Sequence, residues 1–380
     1  VRIAINTRFL LKDKLEGLGV YTHEVSSRLV RMMPEHQWFF FFDRPFDPAF
    51  IPDHPVKPVV IFPPARHPFL WYWWFEHSIP RQLKKYEIDL FFSPDGYASL
   101  STDVPQLLTI HDVAFEYYPE GIPYLVNKYY RYYTPKFCTQ AQYITCVSEK
   151  TKEDIIRHYG ISADKISVVH NGYSAIFKPM EADDIDQVRS QFSIKKPFFI
   201  YLGAIHPRKN VLAILQAFEK LKVEHPALPH QLVLVGRKAW DNDALESFFQ
   251  KMAYKKDVHW IDHIQRHDIP PLLNAATALV YPSFYEGFGL PVLEAMACGT
   301  PSITSADSSM AAFARDSCLT VTPQDSTEIS NSMFQLVNQP GLRQSLSEKG
   351  LRYSADMTWD KAGEKIAALI ENLLLKGKKA

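Results

Sequence analysis

The stretch 281–305, YPSFYEGFGLPVLEAMACGTPSITS, limits the fold more than any other part of the chain. Before it, Ala278-Leu279-Val280-Tyr281 is short and apolar, suited to a buried strand. Pro282 and Ser283 end that strand. Glu286-Gly287-Phe288-Gly289 reads as a loop whose glycines, lacking Cβ, let a ligand approach the backbone. Pro291 suits the first turn of a helix, where its missing N–H would be unpaired anyway. The pattern predicts a helix over 292–298, stopped by Gly299, then a strand through Ile303. This is a strand–loop–helix–strand unit of an α/β fold. Its helix start offers backbone amides to an anion.

Two carboxylates frame the loop. Glu286 precedes the glycines, and Glu294 lies one turn inside the helix. A carboxylate accepts from two hydroxyls at once, which suits a vicinal diol. A diol reader on each side of an anion-binding helix tip fits a ligand of sugar, phosphate and sugar. The same residues also fit a solvated loop glutamate and a helix glutamate placed favourably near the helix dipole. The spacing alone does not choose between these readings.

The run EGFGLPVLEAMACGTP resembles the E-x7-E signature of the retaining glycosyltransferases of family 4, which have the two-domain GT-B fold. The likeness rests on the spacing of the two glutamates, the GFG loop and the E-A-M-A-x-G-x-P continuation. It implies that Glu294 holds the ribose hydroxyls of a nucleotide-sugar and Glu286 the transferred sugar. The amides around Phe288, Gly289 and Leu290 would face sugar and diphosphate.

At 380 residues the chain has room for two domains. Its 42 basic and 42 acidic residues cancel, so nucleic acid is not a favoured partner. Cys138, Cys146, Cys298 and Cys318 show no C-x-x-C pairing and read as small core residues of a reducing compartment. No apolar run reaches ~18 residues, so no integral membrane segment is expected. No leader pattern is visible, although the sequence starts at Val1 without Met. The expected location is cytoplasmic, with peripheral contact at the inner face of the cell membrane.

Along the first half, residues 1–6 form a strand, followed by Gly17-Leu18-Gly19 and a helix through about Met33. By itself this is an ordinary strand-to-helix turn. The resemblance implies that Gly17 and Gly19 touch the donor diphosphate, although Glu16 stands where relatives often carry a first glycine. Residues 38–43 read as a strand and 47–68, rich in proline, as irregular. The stretches 69–86 and 124–137 mix aromatic and basic residues. They fit a lipid- or acceptor-facing surface, or core aromatics with basic residues pointing to water. The strand at 106–110 ends in His111, at the carboxyl end where ligands bind in open α/β sheets. The resemblance places such a histidine near the transferred sugar. Ser148 reads as the N-cap of a helix over 149–159, and the strand ending VVHNG resembles the last strand of the family's first domain.

The second half restarts with a strand at 198–202, then Gly203 and the run Pro207-Arg208-Lys209-Asn210 before a helix. Two cations beside a helix start suit a diphosphate and a departing nucleotide. They equally suit a solvated basic turn. The resemblance assigns Lys209 to the diphosphate; the more usual arginine position is Ala204 here, and Arg208 would supply that charge. Gly236 and Arg237 end the next strand, in a loop that the resemblance places near the nucleotide base. Asp241-Asn242-Asp243 imitates a metal-binding D-x-D but reads as a helix cap. His259, His263 and His267 have zinc-like spacing. The first falls on a strand, so the three would not share a face, and no metal site is expected. Ser309-Met310-Ala311 stands where relatives carry a Pro-Glu pair. Three amphipathic helices follow, the last opening near Trp359.

The expected fold is therefore α/β, GT-B: two facing Rossmann-like domains at 1–178 and 197–357, a linker at 179–196, and a helix at 358–380 returning to the first domain. The expected activity is transfer of a hexosyl unit from a GDP- or UDP-sugar to a glycan or lipid-linked glycan, with retained configuration and no metal or other cofactor. The PRKN and G-R-x-x-W patterns lean toward mannosyltransferases of surface polysaccharides and lipopolysaccharide. The rivals are another GT-B enzyme, an epimerase or a phosphorylase, and a non-catalytic nucleotide-sugar-binding protein.

Overall fold

Near-continuous runs of Phe, Leu, Ile and Val form the strands, because parallel strands between helices are covered on both faces. The computed structural model describes residues 1–12, 15, 17–237 and 243–377. They divide into two units: Val1–Gly172 with Trp359–Ala380, and Tyr173–Thr358.

The first unit contains β1 (Arg2–Asn6), β2 (Gln37–Phe42), β3 (Val56–Val60), β4 (Leu90–Ser93), β5 (Gln106–Ile110), β6 (Tyr143–Cys146) and β7 (Ile166–Val168). They pair in parallel in the order β3-β2-β1-β4-β5-β6-β7. β1 is central, with Ile3 opposite both Trp38 and Leu90. The stretch 47–68, expected to be irregular, holds β3. Pro58 is tolerated there because β3 is the edge strand and needs ladder bonds on one side only. Gly17, Leu18 and Gly19, expected in the turn before the first helix, are instead its first residues, in the helix Gly17–Met32.

The helix Trp359–Gly377 belongs to this unit and lies against Gly17–Met32. A Cβ on Gly363 would lie 3.1 Å from Arg28 Cβ, so the backbones approach closely. Arg28 Nε donates to Asp360 Oδ1 at 2.7 Å, and buried Trp359 meets Tyr21 edge-on at 5.9 Å. Ser148 Oγ accepts from Thr151 N at 3.1 Å, capping the helix Glu149–Tyr159, and Gly160 ends it at φ 64°.

The second unit contains β8 (Phe198–Leu202), β9 (Gln231–Val235), β10 (Val258–Ile261), β11 (Ala278–Tyr281), β12 (Ser302–Ser305) and β13 (Cys318–Val321). Their order is β10-β9-β8-β11-β12-β13, again parallel. This unit takes in 179–196, where the helix Ala182–Gln191 lies. In both sheets the direction of strand addition reverses once, between β1 and β4 and between β8 and β11. Crevices at the carboxyl ends of such strand pairs are where open α/β sheets bind ligands. All four cysteines are unbridged and buried, and burial pushes each thiol up to about 12.

Candidate functional site

The loops leaving β8 and β11 carry the two predicted charges, Lys209 and Glu286, at the reversal point of the second sheet. After β8 the chain makes a turn, Pro207–Lys209, capped by His206, whose Nδ1 accepts from Arg208 N at 3.1 Å. Asn210 follows in the left-handed region, φ 60°. Its Nδ2 donates to the Pro282 carbonyl at 3.0 Å and the Pro323 carbonyl at 2.6 Å. Phe284 N donates to the Arg208 carbonyl at 2.9 Å. These bonds stitch the loop after β8 to the loop after β11. Asn210 was not among the predicted site residues; its signal is a polar residue between a basic turn and an apolar helix.

The stitching brings the charges together. Lys209 Nζ pairs with Glu286 Oε1 and donates to Tyr281 Oη at 2.6 Å. Tyr281 Oη donates in turn to Glu286 Oε1 at 3.3 Å. Arg208 Nη1 lies 3.3 Å from Glu286 Oε2. Burial pushes the Glu286 carboxyl up, but Lys209 and Arg208 outweigh that and hold it below its ordinary value. Tyr281 is buried and stacks on Tyr201 at 5.7 Å. Burial raises its hydroxyl pKa well above the usual range, so it stays a neutral relay between cation and carboxylate. The result is a carboxylate fixed in place beside two cations.

The GFG loop is clamped from behind. Ser309 Oγ donates to the carbonyls of Glu286 at 2.8 Å and Phe288 at 3.1 Å. Phe288 stacks on Phe313 at 4.5 Å. Gly289 sits at φ 102°, and a Cβ there would fall 2.3 Å from Met310 Cγ. Thus Ser309 and Met310 brace the loop. The helix Leu290–Ala297 follows, starting two residues before the predicted 292.

Gly203 and Gly236 serve each other. Gly236 has φ 147°, and a Cβ on it would lie 1.9 Å from the Gly203 carbonyl oxygen. Gly203 N donates to the Val235 carbonyl, and Ile205 N to the Arg237 carbonyl, both at 2.9 Å. Arg237 itself is exposed. Lys238, Ala239, Trp240, Asp241 and Asn242 lie outside the described residues, as does Glu16.

Glu294 is buried, and Arg266 Nη2 donates to its Oε1 at 3.3 Å. Burial pushes its carboxyl up to about 7, with Arg266 opposing. His259 lies on β10 with Nε2 2.7 Å from Gln231 Nε2, while His267 sits in the turn Arg266–Asp268.

The other predicted residues are in the first unit. His111 follows β5, and its Nε2 lies 2.7 Å from the Pro94 carbonyl oxygen. A carbonyl only accepts, so Nε2 carries the proton and Nδ1 is the lone-pair nitrogen of the neutral ring. Burial lowers the His111 pKa, favouring that neutral form. Tyr21 meets the ring edge-on at 4.6 Å. Asp95, the residue after Pro94, belongs to a buried pair absent from the predicted site: Arg8 Nε donates to Asp95 Oδ2 at 2.6 Å, with the guanidinium 4.0 Å from the Tyr97 ring. Both charges sit just past the carboxyl ends of β1 and β4, which is the signal that could have found them. Gly19 lets the helix start close against the chain, since a Cβ would lie 2.7 Å from the Phe9 carbonyl oxygen. A Cβ on Gly17 would meet open space.

Residues 183–353 match the model for glycosyl transferases group 1, and residues 15–175 match the model for glycosyltransferase family 4. An O-antigen chain mannosyltransferase B of Escherichia coli is 28% identical over 279 residues, 73% of this chain and 73% of the relative. O-antigen chain mannosyltransferase RfbU of Salmonella typhimurium is 26% identical over 251 residues, 66% of each. Among solved structures, WaaG, a glycosyltransferase involved in lipopolysaccharide biosynthesis, matches with TM-score 0.75 and 18% identity over 97% of this chain and 99% of its own. At that identity the likeness speaks for the fold.

Proposed function

Because residues 183–353 match the glycosyl transferases group 1 model and residues 15–175 the glycosyltransferase family 4 model, we propose that this chain is a retaining mannosyltransferase that takes mannose from GDP-mannose without a metal. The observation that carries this reading is the Lys209–Tyr281–Glu286–Arg208 cluster at the reversal point of the second sheet. As the sugar–phosphate bond breaks, negative charge grows on the diphosphate. Lys209 and Arg208 are the cations placed to stabilise it. Glu286 holds sugar hydroxyls, and its geometry is set before the donor arrives. Glu294 accepts the ribose diol. His111 offers Nδ1 as an acceptor for a sugar hydroxyl, and the amides at Phe288, Gly289 and Leu290 meet the diphosphate. In this reading the start of the first helix, with open space beside Gly17 and Gly19 packed against Phe9, offers backbone to a phosphate. The two O-antigen mannosyltransferases among the relatives support the choice of mannose.

The Glu294 carboxyl near 7 makes this testable. Its charged form accepts both ribose hydroxyls, and protonation removes that capacity. GDP-mannose binding in EDTA is therefore expected to weaken about tenfold for each pH unit below about 7 and to be flat above about 8. The sugar diphosphate is a diester, so it contributes no titration of its own in this range. Calorimetry at several pH values checks this; no binding at any pH sinks the donor reading.

The acceptor in this reading is a lipid-linked glycan, met at a membrane surface. Among the described residues no helix is long and apolar enough to cross a membrane. The two aromatic-rich stretches divide: Trp74, Phe75, Tyr129 and Phe137 are buried, whereas Phe69, Tyr72, Trp73, Tyr124 and Tyr132 are exposed. Of the exposed set, Phe69, Tyr72 and Tyr132 line a groove of about 540 Å³ between the helices Pro68–Trp73 and Tyr124–Gln140. Lys136 Nζ lies 3.5 Å from the Tyr132 ring centroid and Lys128 Nζ 4.8 Å from that of Tyr124. Residues 124–140 contain no Asp or Glu. Aromatic rings beside lysines fit an anionic bilayer surface. The chain should sediment with phosphatidylglycerol vesicles and much less with phosphatidylcholine. Replacing Phe69, Tyr72 and Tyr132 by serine should weaken that binding about tenfold; unchanged sedimentation would remove this surface from the account.

A further inference from the structure

Glu294 accepts a side-chain hydrogen bond from a different element. The turn Arg266–Asp268 carries Arg266, whose guanidinium lies 5.5 Å from the Phe177 ring centroid and reaches the buried carboxylate with Nη2. The Arg266 side chain is 47% exposed and that of Glu294 is 10% exposed, so one end of the pair is wet and the other dry. We propose that Arg266 is the positioning residue for Glu294: its guanidinium, braced by Phe177, orients the carboxylate and offsets its charge so that the pair, and not the glutamate alone, reads the ribose diol of the donor. The proposal rests on the donor-site reading above.

The chemistry is that of a charge-assisted bond. A buried carboxylate without a cation takes up a proton, and a protonated carboxyl accepts hydroxyl hydrogens poorly. Arg266 and the Cys298 thiol both interact electrostatically with Glu294. The Cys298 thiol, at the end of the same helix, is pushed up to about 12 by burial and stays neutral. Arg266 is therefore the charge that opposes the burial of Glu294. Removing it raises the carboxyl further above about 7 and leaves it mostly protonated at neutral pH. The nucleotide then binds weakly until the pH is high enough to ionise Glu294 unaided.

The test is calorimetry on the full chain with whichever of GDP-mannose, UDP-glucose, UDP-galactose and ADP-glucose binds most tightly. Arg266→Gln should weaken binding about tenfold at about pH 7 and approach wild type at about pH 9. Arg266→Lys should recover much of the loss, and Glu294→Gln should bind weakly with no pH dependence. The 2′,3′-dideoxy form of the same nucleotide, which has no diol, should bind wild type and Arg266→Gln alike. A purely structural role would weaken every probe equally at every pH. A pH-independent loss in Arg266→Gln, or no loss at all, would overturn the role of Arg266 while leaving the donor site standing. Failure of wild type to bind any of the four would overturn both.

Discussion

Replacing Glu286 with glutamine is expected to slow sugar transfer by about a hundredfold to a thousandfold while leaving sugar-nucleotide binding intact or tighter. Glu286 is held by Lys209, Arg208 and Tyr281, so its orientation is fixed before any ligand enters. Glutamine keeps the shape but loses the charge that organises sugar hydroxyls. The substitution also removes the carboxylate that two partly buried cations face. Breaking such a pair from one side costs about 3–5 kcal/mol when fully buried, and less here because the Arg208 side chain is 20% exposed. A diphosphate brings negative charge to the same cations. Donor should therefore raise the unfolding temperature of Glu286→Gln by more than it raises that of wild type. Initial rates under saturating donor, with melting curves with and without donor, check both halves. A variant that transfers normally, or that loses donor binding along with activity, would contradict the role given to Glu286.

The largest stability effect is expected at Gly236. An added Cβ would meet the Gly203 carbonyl oxygen at 1.9 Å, and that atom is backbone, so no rotamer change relieves it. The φ of 147° is itself costly for any side-chain-bearing residue. Relief requires separating the loops after β8 and β9, which breaks the bonds from Gly203 N to Val235 O and from Ile205 N to Arg237 O. Gly236→Ala should destabilise the second unit by about 3–5 kcal/mol. Gly17→Ala, where a Cβ meets open space, is the matched control and should change stability by less than about 1 kcal/mol. Chemical denaturation of the three proteins measures both. Equal midpoints for Gly236→Ala and wild type would show that the loops part freely.

The strands of both sheets were legible because they are short apolar runs bounded by Gly, Pro or polar residues. β3 escaped because Pro58 argues against a strand, and only tertiary placement at an edge overrides that. The E-x7-E stretch disclosed Glu286 and Glu294 because both lie on one local unit. Their partners did not show, since Arg266 precedes Glu294 by a strand and a helix, and Tyr281 looked like any strand end. Asn210 and Ser309 act by closing one loop onto another, and a contact of that kind leaves no periodic trace. The Arg8–Asp95 pair joins residues 87 apart in sequence. The aromatic stretches were ambiguous for a physical reason: aromatic and basic residues are interleaved, so the pattern does not say which rings meet water, and here each stretch holds both buried and exposed aromatics.

The most direct measurement is calorimetric binding of GDP-mannose, UDP-glucose, UDP-galactose and ADP-glucose in EDTA to wild type and to Lys209→Ala. The account predicts that GDP-mannose binds best, without metal, and that Lys209→Ala weakens it at least about tenfold through loss of a charge on the diphosphate. Absence of binding by all four donors, or equal binding by both proteins, would contradict the placement of the donor site on the loops after β8 and β11.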